Sequence, residues 1–291
     1  MVVKKQIRGP FYQIVVPTDC SSASAGALEF ALVLADRGSR VTAVHAVDSL
    51  QYKFGPRELS KVRKRQVWSV AQESVSRWLQ ESKLSGCDTI VMEGEAAPAI
   101  AAFAAAKGAD LVVLATSARR PTARLLLGSV AEEVFRMVKC PVFVLGTKAA
   151  AAKKRMPSRL VFATDLEPHS LAALSQLSNI GDGLGASISV IRAVHPDITS
   201  RTERNRIRKE TIQKVEAAAD STLRRRIRKI HVVFAHPVKG IVGFASRVKA
   251  NAIVMGIRSG GELTRAATHI PWALAHRVIN EGPCPVLTIR A

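Results

Sequence analysis

Ile14-Val15-Val16-Pro17-Thr18-Asp19 returns 146 residues later as Leu160-Val161-Phe162-Ala163-Thr164-Asp165. Cys140-Pro141-Val142-Phe143-Val144-Leu145 returns 144 residues later as Cys284-Pro285-Val286-Leu287-Thr288-Ile289. Two independent markers with nearly one offset identify a tandem duplication. The period is that of a whole domain, far longer than a solenoid repeat. Each copy is therefore a control on the other: a feature kept in one and lost in the other is not needed by the fold alone.

Outward from the first marker, Gln13–Pro17 is a short β-rich run. Ser21 or Ser22 caps an apolar helix over 24–36, closed by Gly38. Strands follow at 41–47, 89–92, 110–115 and 142–145, separated by helices at 58–82, 98–107 and 128–138. Val62, Val67, Trp68, Ala71, Val75, Trp78 and Leu79 read as one apolar helical face, with both tryptophans in core or interface. The second copy repeats the order: strand 159–163, helix 170–181, strand 187–193, one long basic helix 200–223, strand 230–234, helix 239–249, strand 251–255, helix 271–280 and strand 285–290. Short β runs alternating with helices demand parallel pairing and right-handed crossovers. The expected fold class is α/β, with two tandem doubly wound domains over residues 1–148 and 159–291. Residues 149–158 are the linker. Gly181-Asp182-Gly183-Leu184-Gly185 leaves a helix and enters a strand, the wrong end for phosphate, and reads as a helix stop.

Hydrophobic residues make up 47% of the 291, enough for a core in each copy. No run reaches the ~18 apolar residues that span a bilayer, and the N-terminus lacks the pattern of a secretory signal. The four cysteines form no C-x-x-C, so Cys140 and Cys284 read as buried free thiols and the expected location is cytoplasmic. The net charge of +20 is uneven: 20 basic against 13 acidic residues before position 151, and 23 against 10 after it. The excess gathers at 201–209 and 224–229. Such density attracts nucleic acid, anionic lipid or nucleotide phosphates, although no stacking aromatics accompany it.

In open α/β sheets a ligand sits beyond the carboxyl ends of the strands, where the strand order switches. Two segments of the first copy converge there: Pro17-Thr18-Asp19 after strand one, and the stretch from Ala115 to Val130 after strand four. The latter re-enters a helix at Gly128-Ser129, whose free backbone N–H groups favour an anion. The Ser129 hydroxyl suits a phosphate oxygen, and Asp19 suits an adenine amino group or a ribose hydroxyl.

At these residues the chain resembles the universal stress protein family. The pieces are Pro17-Thr18-Asp19, Val44-His45-Ala46-Val47-Asp48, Ala109-Asp110-Leu111-Val112-Val113, Leu126-Leu127-Gly128-Ser129-Val130-Ala131-Glu132 and Cys140-Pro141-Val142. The resemblance covers both halves. It implies a five-stranded parallel sheet per domain of the adenine-nucleotide α-hydrolase-like, Rossmann-like kind. It also implies dimerisation through the last strand, here as a pseudo-twofold pseudo-dimer of the two copies, with a homodimer as a further form. The family's nucleotide pattern is G-x-x-G-x9-G-[S/T]. Here Ala115 and Ala118 occupy the first two glycine positions, and Gly128-Ser129 match the last pair. The implied ligand is ATP or a related adenine nucleotide, in the first domain only. The implied site residues are Pro17, Thr18, Asp19, Ala46, Leu114, Ala115, Ala118, Gly128, Ser129 and Val130; no catalytic or metal-binding residue is expected.

The second copy departs further. Gly256 and Ser259 stand at the first two motif positions, and counting back from Cys284 places Trp272-Ala273 opposite Gly128-Ser129. His269 lacks an acid or nucleophile at recognisable spacing and reads as structural. The expected function is a non-catalytic stress-response or signalling module. The alternatives are a slow ATPase and a basic protein that binds nucleic acid or an anionic surface.

Overall fold

The computed structural model describes residues 9–52, 57–116, 129–150, 155–258 and 269–290. The first copy runs β1 (Gln13–Pro17), α1 (Ser22–Leu34), β2 (Arg40–Val47), α2 (Arg57–Ser82), β3 (Asp88–Glu93), α3 (Ala96–Ala106), β4 (Leu111–Ala115), α4 (Ser129–Met137), β5 (Val142–Leu145) and a short α5 (Thr147–Ala150). The second runs β6 (Arg159–Ala163), α6 (Pro168–Gly183), β7 (Ser187–Val194), α7 (Arg201–Ala218), α8 (Ser221–Arg226), β8 (Ile227–Phe234), α9 (Pro237–Arg247), β9 (Ala252–Ile257), α10 (His269–Glu281) and β10 (Val286–Arg290).

One compact unit spans Phe11–Val142, and the other holds the chain from Phe143 onward. Within the first the strand order is β3-β2-β1-β4. β1 pairs parallel with β2 on one side and β4 on the other, with Ile14 opposite both Val41 and Leu111. Within the second the order is β8-β7-β6-β9-β10-β5. β6 pairs parallel with β7 and β9, with Leu160 opposite Ile188 and Ala252. The last strand of the first repeat therefore stands beside the last strand of the second, as the matching Cys-Pro lead-ins suggest.

Central strands are apolar at successive positions because helices cover both faces. Ile14, Val15, Val16, Leu111, Val112 and Val113 are buried, as are Leu160, Val161, Phe162, Ile253 and Val254. Helix α1 presses Ala27, Leu28, Phe30, Ala31 and Leu34 onto the first sheet.

Four expectations need correction. Helix α1 ends at Leu34, with Ala35 already extended, and is not closed by Gly38. Gly38 instead sits in a turn, its N–H donating to Asp36 Oδ1 at 2.9 Å. On α2, Ala71, Val75 and Trp78 are buried, but Val62 is 54% exposed. Nine residues before Ala71 is two and a half helical turns, so Val62 faces the other way. The basic helix is two helices: the chain breaks at Ala219, and Asp220 caps α8 by accepting from Leu223 N (2.7 Å) and from Ser178 Oγ (2.9 Å). Finally, Cys284 is buried but Cys140 only half so. The glycine run that closes α6 is a helix stop as expected. Gly185 adopts φ +63°, and Ala186 N returns to Gly181 O at 2.9 Å.

Candidate functional site

β1 ends where Pro17 gives way to a tight turn built by short polar side chains. Thr18 N donates to Val44 O at 2.9 Å, the last rung to β2. Thr18 Oγ1 accepts from Cys20 N (3.0 Å) and shares a buried 2.9 Å bond with Ser24 Oγ. Asp19 Oδ1 accepts from Ser21 N at 3.1 Å. Cys20 takes φ +58°, a left-handed conformation rare for a residue with a Cβ. Ser21 and Ser24 then cap α1 reciprocally, each side chain accepting from the other's backbone N–H. Trp78 braces the turn from α2, its Nε1–H donating to Ser21 O at 3.0 Å. His45 Nδ1 lies 2.9 Å from Thr18 O. A carbonyl only accepts, so Nδ1 carries the proton and Nε2 is the acceptor of the neutral ring.

Above this turn lies a cavity of about 320 Å³. It opens over the carboxyl ends of β1, β2 and β4, beside the switch in strand order. Pro17, Thr18, Asp19, Ala46, Leu114, Ala115, Ser129 and Val130 of the expected set all line it. Ala118 and Gly128 lie outside the described residues. Ser21, Ala23, Ser24, His45, Ala96, Ile100 and Ala131 complete the lining. The sequence pointed to the loops after β1 and β4 and passed over the one after β3. That loop delivers Ala96 and Ile100 on α3, which begins without a side-chain cap. The rule that ligands gather at strand carboxyl ends applies to β3 equally and was the available signal.

The cavity has acceptors at Asp19 and His45, hydroxyls at Ser21, Ser24 and Ser129, and the first turn of α4. Pro17, Ala46, Ile100, Leu114 and Val130 give it apolar walls. Its size falls within the usual range of small-ligand sites. Burial pushes the Cys20 thiol above its ordinary range, opposed by the bond with Thr18 and helped by the Asp19 charge.

The second repeat reproduces the backbone bonds of the turn, though Glu167 at the start of α6 makes no side-chain cap bond. Thr164 N donates to Ile191 O (3.0 Å), Leu166 N to Thr164 Oγ1 (3.0 Å) and Glu167 N to Asp165 Oδ1 (3.0 Å), while Leu166 takes φ +67°. The surroundings differ. Ser170 Oγ also donates to Asp165 Oδ1 at 2.6 Å, and His169 Nε2 stands 3.6 Å from the same carboxylate. Arg192 occupies the place of His45 and donates to Thr211 Oγ1 at 3.2 Å. Gly256 occupies the place of Ala115, facing the start of α6. A Cβ there would stand 2.7 Å from Ser170 Cα and 3.1 Å from His169 O. This glycine lets a helix approach the strand. Ser259, Thr268 and the side chains of His269 and Trp272 lie outside the described residues.

The sequence model of the Universal stress protein family matches residues 10–146 and again 156–290. The chain belongs to the universal stress protein family. A universal stress protein of Methanocaldococcus jannaschii is 33% identical over 143 residues, covering 46% of this chain and 82% of that protein. A universal stress protein from Archaeoglobus fulgidus matches 98% of this chain and 97% of its own, with a TM-score of 0.65 at 18% identity. A functionally unknown protein from Pseudomonas aeruginosa matches 96% of this chain and 92% of its own, with a TM-score of 0.63 at 16% identity. At these identities the two structures speak for the fold: a tandem pair of universal stress protein domains in one chain. Among the described residues no helix is long and apolar enough to cross a membrane.

Proposed function

We propose that the cavity of the first repeat binds ATP or a related adenine nucleotide, and that the protein is a cytoplasmic, non-catalytic stress-response module whose second repeat has lost that role. The observation that carries this is convergence. Pro17-Thr18-Asp19, Ala46, Leu114-Ala115 and Ser129-Val130 are far apart in sequence and border one cavity at the switch in strand order. The apolar walls suit a purine, Asp19 suits a ribose hydroxyl or the adenine amino group, and Ser129 at the start of α4 suits a phosphate. In the second repeat Gly256 stands in the place of Ala115, and the start of α6 packs close against it. Asp19 and His45 are engaged in holding the turn, so binding without rapid turnover is the simpler reading. Tight ground-state binding does not itself accelerate hydrolysis.

The test is a thermal shift with ATP on the wild type and on Ser129→Glu. Position 129 is exposed and begins a helix, so an acidic side chain there is compatible with folding while it opposes a phosphate. Ligand at a hundredfold excess over its Kd adds about 2.7 kcal/mol, which corresponds to roughly 5–10 °C at this size. The shift is expected in the wild type and in Asp165→Ala, and absent in Ser129→Glu. Equal protection of Ser129→Glu, or no shift with any adenine nucleotide, overturns the reading. ATP turnover at or above about 1 s⁻¹ would place the protein among typical enzymes and refute the non-catalytic part.

A further inference from the structure

The two repeats differ in charge at the outer edge of their sheets. In the first, edge strand β3 carries acids at both ends: Asp88 lies 3.5 Å from Arg40 and Glu93 lies 2.6 Å from Lys64. In the second, edge strand β8 opens Ile227-Arg228-Lys229-Ile230, just after Arg224-Arg225-Arg226. Val44 pairs with Ile90, and its repeat equivalent Ile191 pairs with His231. Lys229 therefore stands where the first repeat has Asp88. The same fold tolerates either charge, so the basic edge is a property of the second repeat and not a requirement of its architecture.

An open groove of about 660 Å³ runs between the end of α7, Arg224 and the start of β8. Ile212, Ile227 and Ile230 line it, with Ile212 39% exposed. Arg224, Arg228 and Lys229 also line it, and Glu216 is the acid among them. Nearby cations are otherwise engaged: Arg226 with Asp182 at 2.7 Å, Arg206 with Glu203 at 2.6 Å and Lys214 with Glu210 at 2.8 Å. Arg224, Arg228 and Lys229 form no ion pair among the described residues, and all three are exposed. Arg224 reaches the Glu216 carbonyl, with its Nη2 donating at 2.7 Å.

An exposed Ile212 beside half-buried Ile227 and Ile230, with cations that form no ion pair among the described residues, matches the boundary of an anionic bilayer, where headgroup phosphates lie above acyl chains. Other occupants fit less well. Ile188 pairs with Ile227 and Ser189 with Lys229, which makes Arg228 the additional residue of a bulge. A bulge and charges on an edge oppose the addition of a strand. No aromatic lines the groove for base stacking. Phe234, at the far end of β8, is already covered by Arg204 and Arg208 at 4.6 and 5.3 Å. We propose that the groove formed by α7, α8 and β8 docks the protein onto anionic lipid surfaces, with Arg224, Arg228 and Lys229 on headgroup phosphates and Ile212 against the acyl boundary.

Vesicle co-sedimentation tests this, using phosphatidylcholine with and without one third phosphatidylglycerol, with the full chain. The wild type is expected to bind only the anionic vesicles and to be released by salt. Each basic residue near such a surface is worth about fivefold in affinity, so Arg228→Glu/Lys229→Glu should bind at least about 25-fold more weakly while keeping the wild-type circular dichroism. Ile212→Ser should weaken binding severalfold and retain the salt dependence. Arg65→Glu/Arg77→Glu, on exposed positions of the first repeat, should bind as the wild type does. The proposal is overturned if the wild type ignores anionic vesicles, if both charge reversals weaken binding alike, or if duplex DNA is bound in place of vesicles.

Discussion

Gly256→Ala is the most direct probe of what separates the two repeats. The added Cβ would lie 2.7 Å from Ser170 Cα, 3.0 Å from Ala173 Cβ and 3.1 Å from His169 O. Two of these three atoms are backbone, so the strain cannot be relieved by rotating a side chain. Either α6 or β9 must move, and both are buried against the second sheet. Overpacking of this kind costs about 1–3 kcal/mol, which corresponds to a fall in Tm of roughly 2–12 °C for a chain of this size. The mirror change, Ala115→Gly, removes a methyl from the wall of an existing cavity. It should cost only the ~0.5–1 kcal/mol of a glycine within a strand. Differential scanning calorimetry of both variants, with urea titrations followed by far-ultraviolet circular dichroism, separates the two. Fluorescence is less even-handed, because Trp68 and Trp78 are both in the first repeat. A Gly256→Ala protein within about 0.5 kcal/mol of wild type would show that α6 is not held against β9 by the missing side chain. The account of how α6 packs against β9 would then fail.

Thr18→Val and Thr164→Val should each cost about 1–3 kcal/mol, since each strands a backbone N–H and a serine hydroxyl at the same turn. Unequal urea midpoints would show that the turn does not bear the same load in both repeats. Cys284 should be the last of the four thiols to react with iodoacetamide, because burial raises its pKa to about 12. Folding resists its ionisation, so stability is intact below pH 9 and declines as the pH climbs from about 9 towards 12. Cys284→Ala should flatten that alkaline decline, and an unchanged decline would assign it to other groups.

The duplication, the order of elements and the convergence of Thr18, Asp19 and Ser129 on one cavity were legible because each rests on a local pattern. What escaped the sequence depends on the third dimension. The break at Ala219–Asp220 is hidden in a helical-looking basic run, since nothing local says that Asp220 will find Ser178. The left-handed turns at Cys20 and Leu166 leave no trace, because neither residue type favours positive φ. Gly256 matched a phosphate-binding spacing yet serves helix packing. A glycine's lack of a side chain is visible in the sequence, but what approaches it is not.

The boundary of the repeat and the boundary of compactness do not coincide. The family match to the first copy runs to residue 146, whereas the compact unit closes at Val142. The difference is β5, whose four residues Val142, Phe143, Val144 and Leu145 are all buried and whose neighbour is β10. A gene fragment cut at the repeat boundary would end in an apolar strand with its β10-facing edge open to solvent, which is a seed for aggregation. Expression of the first repeat alone should therefore yield insoluble or self-associated material. For the same reason, mutations that separate the repeats carry a cost in solubility as well as in stability, which favours keeping the duplicated gene in one piece.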